Sequence, residues 1–222
     1  MRAGDGEGGR IGVLGGTFDP VHDGHLAMAR AAERAAGLER IYFVPAPRPW
    51  HREPPRAGYA DRFAMLALAL AGHPRWIPLA VPDRGRRPTY AIDQLAWMAE
   101  HNVVGHIHLI LGADAFATLP TWHQYRRLLR GWDFIVLARE HAPGGLMNRV
   151  LPRALVTAQD AGGAELAGGH RLHWLAGFHS PASATRVRAA LSAGRAPRGQ
   201  APAAVVEYAL RARLYRTRRH HG

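Results

Sequence analysis

The sequence predicts an α/β protein built on a doubly wound parallel sheet, and three observations lead there. Short apolar runs of strand length alternate with segments of helical spacing along most of the chain. The first strand, helix and strand form a unit with clear stop signals, which makes its strands parallel and its crossover right-handed. The chemically distinctive residues follow the strands, and doubly wound sheets bind ligands beyond those carboxyl ends.

Element by element, Ile11 to Leu14 reads as a buried strand, "GHLAMARAAERAAG" as a helix closed by Gly37, and "RIYFVP" as a second strand ending at Pro45. Pro45 to Arg56 is a proline-rich loop. A helix is expected over roughly 60–71, a short strand near 76–80, and a helix in "YAIDQLAWMAEH", where Ile92, Leu95 and Met98 share one stripe. "IHLILG", Ile107 to Gly112, is the most apolar strand and is placed centrally. "TWHQYRRLLRG" reads as a helix and "DFIVLAR" as a strand. From His141 to Gly169 the pattern breaks into glycine and proline punctuation around one helix, read as a variable insertion. "HRLHWL" is a last strand, followed by helices in "SATRVRAALSAG" and "AAVVEYALRARLY". This gives a disordered tail over 1–9, a single domain over 10–216 whose helical part covers about 180–216, and a basic tail over 217–222.

Composition excludes several chemistries. All 29 basic residues are arginine and the net charge is +12. Without lysine there is no Schiff base and no P-loop lysine. Without cysteine there is no disulfide, thiolate nucleophile or cysteine zinc site, which suits a cytoplasmic protein. Met1 to Gly9 lacks the apolar segment of a signal peptide, and the run Ala64 to Ala71 falls far short of the roughly 20 residues a membrane span needs. A soluble protein with no membrane contact is expected. Arginine forks bind phosphate oxygens in pairs, yet an Ala, Arg and Gly excess also marks a GC-rich genome, so each arginine is judged by position.

The densest chemistry lies in "GVLGGTFDPVHDGHLAMA", Gly12 to Ala29. Gly15 and Gly16 follow the first strand, where missing side chains let backbone N–H groups approach an anion; alone, the pair marks only a tight turn. Asp19-Pro20 is a turn signal. His22 and His25, three apart at a helix start, share a face on which the macrodipole favours anions. Zincin helices space histidines four apart with a glutamate between them, and none stands here, so donation to phosphate oxygens is favoured over metal binding.

"GGTFDPVHDGH" resembles the first signature of the HxGH nucleotidyltransferase superfamily, and in this longer form it is similar to bacterial nicotinate-nucleotide adenylyltransferases. "ASATRVR", Ala182 to Arg188, resembles the second signature, far along the chain and in the right order. "VPAPRPWHR", "PTYAIDQL", "LGADAFATLPTWHQY" and the closing "LYR" extend the resemblance over Ile11 to Arg216, apart from 141–169.

The resemblance implies a Rossmann-like nucleotidyltransferase fold and AMP transfer from ATP to nicotinate mononucleotide, forming nicotinate adenine dinucleotide and pyrophosphate in NAD biosynthesis. The acceptor phosphate, with a second pKa near 6, is already ionised at neutral pH, so attack is in line with no covalent intermediate and no general base. The site must supply donors, positive charge and alignment. The implied catalytic residues are His22, His25 and Arg188. Gly15, Gly16, Thr17, Gly112, Asp114, Ser183 and Thr185 are implied for ATP, with Ser183, Thr185 and Arg188 closing on its phosphates from the side opposite the histidines. By themselves Ser183 and Asp114 read as helix caps. For nicotinate mononucleotide the resemblance implies His51, Arg52 and Arg139 at the phosphate, Thr89, Tyr90 and His123 near the nicotinate carboxylate, and Trp122 stacked on the ring. Trp122, at a helix start, otherwise reads as a core anchor. Mg²⁺ is implied with ATP, held through phosphates and water and not by the protein.

Ala91, Trp50, Ala46 and Pro47 depart from the family pattern in the acceptor pocket. The alternatives are another HxGH adenylyltransferase, using nicotinamide mononucleotide or phosphopantetheine, and an Arg-rich nucleic-acid-binding module. Phosphopantetheine enzymes carry threonine where His22 stands, and the scattered charge here, without an aromatic and basic strip, argues against nucleic acid. Oligomeric state is left open.

Overall fold

The computed structural model describes residues 9–49, 54–83, 85, 88–101, 103, 105–139 and 144–216. The strands are β1 (Arg10–Gly16), β2 (Arg40–Pro45), β3 (Trp76–Pro78), β4 (His106–Gly112), β5 (Asp133–Leu137), β6 (Val156–Asp160), β7 (Gly163–Leu166) and β8 (His170–Leu175). They form one sheet in the order β3-β2-β1-β4-β5-β8-β7-β6. From β3 to β8 every neighbouring pair is parallel. The connection direction reverses between β1 and β4, so the ligand crevice of a doubly wound sheet falls beyond their carboxyl ends.

The helices are α1 (Asp23–Ala36), α2 (Tyr59–Leu70), α3 (Ala91–Glu100), α4 (Ala113–Ala117), α5 (Tyr125–Gly131), α6 (Gly144–Val150), α7 (Ala184–Ser192) and α8 (Ala203–Arg211). Strand side chains alternate between two cores, as a pleat with both faces covered requires. Val13, Leu109, Leu111 and Val136 pack with Leu95, Met98 and Phe116 on one face. Leu14, Ile110, Ile135 and Leu137 pack with Leu26, Met65 and Val187 on the other. The predicted stripe of Ile92, Leu95 and Met98 is buried, and Gly37 caps α1 at φ 62°.

Two regions differ from the sequence reading. The helix read over "TWHQYRRLLRG" is interrupted: a 3₁₀ turn at Leu119–Thr121 leads to Trp122 in extended backbone and Gln124 at φ 54° before α5 begins. Trp122 therefore sits in the break and not at a helix start. The segment read as a variable insertion contains α6 and the β6–β7 hairpin, whose antiparallel strands extend the sheet past β8. β6 is exposed along most of its length, so it lacks the apolar alternation by which a strand is recognised. The tail residues 1–8 and 217–222, and with them most of what was read there, lie outside the described residues.

Candidate active site

A cleft of about 1160 Å³ opens at the carboxyl ends of β1, β4 and β5 and is bordered by the starts of α1, α3, α4 and α7. Gly15, Gly16, Thr17, His22, His25, Gly112, Asp114, Ser183, Thr185 and Arg188 line it, and so do Thr89, Tyr90, Trp122, His123 and Arg139. His51 and Arg52 lie outside the described residues. Both motifs and the described acceptor candidates thus share one cavity, although they lie far apart in the chain.

The first motif is held from three directions. Gly15 and Gly16 complete β1 opposite Val44 and Pro45, so the chain leaves the strand at Thr17 and turns at Asp19-Pro20, not at the glycines. Phe18 takes φ 49° and buries its ring edge-on to His25, with centroids 4.8 Å apart. The buried Asp19 carboxylate accepts from the backbone N–H of Arg56 (2.8 Å) and Ala57 (3.1 Å) and from the Tyr215 hydroxyl (2.8 Å). Burial, reinforced by the Asp19 charge, pushes the Tyr215 phenol up, so it remains a donor. Arg62 of α2, only 1% exposed, donates to the carbonyls of Thr17 (2.6 Å), Ala46 (3.0 Å) and Pro47 (3.3 Å). Sequence reasoning missed Arg62, and it quoted Asp19 and Tyr215 within the first motif and the closing "LYR" without giving either a role beyond the Asp19-Pro20 turn. The one available signal for Arg62 was a lone arginine among the apolar residues of "RFAMLALAL".

The two histidines form the N-terminal cap of α1. Gly24 N–H donates to His22 Nδ1 (3.2 Å), and His22 N–H donates to His25 Nδ1 (3.3 Å). A backbone N–H can only donate, so both Nδ1 atoms are acceptors and each neutral ring carries its proton on Nε2. The rings stack with centroids 3.8 Å apart. Burial, with Arg188 nearby, pushes His22 down to about 4. His22 is therefore an N–H donor at neutral pH and not a cation. Gly24, the glycine of the HxGH signature, to which the sequence alone assigned no separate role, is required by this stack: a Cβ there would lie 2.9 Å from the His22 ring and 3.2 Å from the Ala182 carbonyl.

That depressed value fixes a pH effect. Between about 6.5 and 4 the unfolded chain protonates at residue 22 while the folded one does not, so stability is lost as pH falls through this window. The contribution is on the order of 3 kcal/mol. Urea unfolding at a series of pH values is expected to show a shallower acid limb for His22→Asn, in which asparagine keeps a cap without the titrating ring.

The second motif adjoins the first instead of facing it. Arg188 of α7 donates to the Asp19 carbonyl (2.7 Å) and lies 3.4 Å from Thr185 Oγ1. Ser183 caps α7 by accepting from Arg186 N–H (3.3 Å), which is the plain reading of this serine, and it still lines the cleft. Asp114 is not a cap: Gly112 holds that position in α4, and Asp114 is exposed two residues later, in the first turn.

On the far wall, Tyr90 caps α3 and stacks on His123, with centroids 4.3 Å apart. Thr89 Oγ1 accepts from Arg48 N–H (3.2 Å), and Trp122 Nε1 donates to Thr118 Oγ1 (3.3 Å). Gln94, a further residue missed from sequence, lies over Gly15 with a buried Nε2 that has no hydrogen-bond partner among the described residues.

Residues 13–190 match the cytidylyltransferase-like family model. A probable nicotinate-nucleotide adenylyltransferase of Pseudomonas fluorescens is 39% identical over 217 residues, covering 94% of this chain and 98% of the relative. A protein of the same description from Gloeobacter violaceus is 39% identical over 212 residues, covering 94% and 97%. Among solved structures, Plasmodium falciparum nicotinic acid mononucleotide adenylyltransferase complexed with NaAD superposes with a TM-score of 0.71 over 93% of this chain and 97% of that one. At 14% identity, that likeness concerns the fold.

Proposed function

We propose a role for this chain from one premise: it belongs to the cytidylyltransferase-like family and, within it, to the nicotinate-nucleotide adenylyltransferases. It transfers AMP from ATP to nicotinate mononucleotide, giving nicotinate adenine dinucleotide and pyrophosphate for NAD biosynthesis. The observation that carries the assignment of roles is the histidine pair, two stacked rings whose backbone-bonded Nδ1 atoms fix the proton on Nε2 at the mouth of β1.

The acceptor phosphate needs no base, and the nearby carboxylate suits none, because Asp19 already accepts three hydrogen bonds. The chain's task is to gather two polyanions, align them and receive charge on the departing pyrophosphate. The Nε2–H groups of His22 and His25 donate to ATP phosphates without adding charge. Positive charge comes from Arg188 on the ATP side and Arg139 on the acceptor side. Thr17, Ser183 and Thr185 add hydroxyls around the phosphates. Gly15, Gly16 and Gly112 leave the strand ends bare for the nucleotide, with Asp114 beside them.

Magnesium fits this donor set only as a companion of ATP, since the buried Asp19 oxygens are engaged and Asp114 stands exposed. Bound to the phosphates, it would neutralise charge on them. A cytoplasmic site for the reaction belongs to the same proposal, supported by a composition without cysteine. Among the described residues no helix is long and apolar enough to cross a membrane.

On the acceptor side, Trp122 stacks on the nicotinate ring, with Thr89, Tyr90 and His123 around its carboxylate; a role at its phosphate is assigned to His51 and Arg52, which lie outside the described residues. Steady-state kinetics of Trp122→Ala tests this: the KM for nicotinate mononucleotide rises by about three- to tenfold, as expected for a lost aromatic stack, while that for ATP changes little. Equal increases for both substrates would make Trp122 a packing residue.

A further inference from the structure

At the opposite end of the sheet, far from the cleft, the starts of β4, β5 and β8 gather a second group of titratable side chains. Asp133, the first residue of β5, is 5% exposed. Its Oδ2 lies 2.9 Å from His106 Nε2 and 3.4 Å from His108 Nε2, and its Oδ1 lies 3.1 Å from His170 Nδ1. Arg171 N–H also donates to Oδ1 (2.9 Å).

We propose that His106, Asp133 and His170 form a binding site for a divalent transition-metal ion of the zinc, cobalt or nickel class, with His108 as a further ligand. The donor atoms of the first three lie within 4.8 Å of one another. An ion about 2.1 Å from each of its tetrahedral donors would set those donors about 3.4 Å apart; the carboxylate-to-imidazole separations are 2.9, 3.4 and 3.1 Å. Imidazole with a single carboxylate selects borderline metals over magnesium or calcium.

Two features favour an ion over a simple hydrogen-bonded cluster. His108 Nδ1 meets the His106 carbonyl at 3.0 Å, and because a carbonyl only accepts, Nδ1 is the donor. That is how a metal-binding imidazole is oriented, with one nitrogen tied to backbone and the other turned to the site. The second is the charge balance. In so arginine-rich a chain, no guanidinium among the described residues pairs with this buried carboxylate: Arg171 turns to Glu165 and Asp160, and Arg10 to the Ala36 carbonyl. The His106 side chain is 47% exposed, so an ion has access. A bound ion would tie β4, β5 and β8 together without touching the cleft.

The test uses the full chain, stripped with chelator and titrated with Zn²⁺ and separately with Co²⁺. One equivalent of Zn²⁺ is expected to bind and to raise the melting temperature, Co²⁺ to give the visible d–d bands of a low-coordinate site, and His106→Ala and His170→Ala each to weaken Zn²⁺ binding by at least about tenfold. AMP transfer stays unchanged in both variants. No Zn²⁺ uptake, Co²⁺ bands no stronger than those of the aqueous ion, or uptake undiminished in both variants would overturn the proposal. The last result would place the ion on other histidines. Should one variant fail to fold, the Co²⁺ spectrum of the unaltered chain decides.

Discussion

His25→Ala lowers the rate of AMP transfer by on the order of 10²- to 10³-fold at saturating substrates, the cost of removing one preorganised donor to developing negative charge. The chain still folds, because the ring is half-buried in the cleft wall and the rest of α1 remains packed through Leu26, Ala29 and Ala32. His22→Ala loses a similar factor and also a helix cap, worth about 1 kcal/mol. The two roles separate in His22→Asn, which keeps a capping acceptor but presents no imidazole N–H to a phosphate: stability near the original with a rate reduced as in His25→Ala is expected. Turnover and melting temperature measured on all three variants check this. Rates within a few-fold of the original in His25→Ala and His22→Asn would remove the histidines from the mechanism.

Arg62→Leu is expected to have the largest effect on stability, about 3–5 kcal/mol by urea unfolding, the range for breaking a buried charged network. The substitution strands the carbonyls of Thr17, Ala46 and Pro47, which all accept from this one guanidinium. It also removes the positive charge that faces Asp19. Since Thr17 belongs to the first motif, whatever protein folds should also transfer AMP more slowly. A loss below about 1 kcal/mol would mean that water replaces the guanidinium at those carbonyls, contrary to the burial of the site.

The parallel core of the sheet was legible because its strands are continuous apolar runs and its helices carry apolar stripes, as in "IHLILG" and in the Ile92, Leu95, Met98 series. The β6–β7 hairpin was not, since "VTAQD" has no buried face, and the Trp122–Gln124 break depends on one left-handed residue that need not be glycine. In the site, the residues carried by the two motifs line one cleft, whereas their supports were invisible. Arg62 and Tyr215 act through carbonyls and a carboxylate that only the folded chain brings near them, and the reason for Gly24, present in the first motif, is a ring two residues away. Ser183 shows the converse: by itself it reads as a cap and the resemblance implies a ligand role, and in the fold it caps α7 while also lining the cleft.

The most direct test of the proposed activity is pyrophosphate release by the purified chain with Mg-ATP, offered nicotinate mononucleotide, nicotinamide mononucleotide and phosphopantetheine in parallel. Strong preference for nicotinate mononucleotide is predicted, with Ala91 leaving the carboxylate site intact. Faster release with the amide or with phosphopantetheine would contradict the acceptor assignment, and no release with any of the three, set beside salt-dependent binding to random RNA, would contradict adenylyl transfer itself.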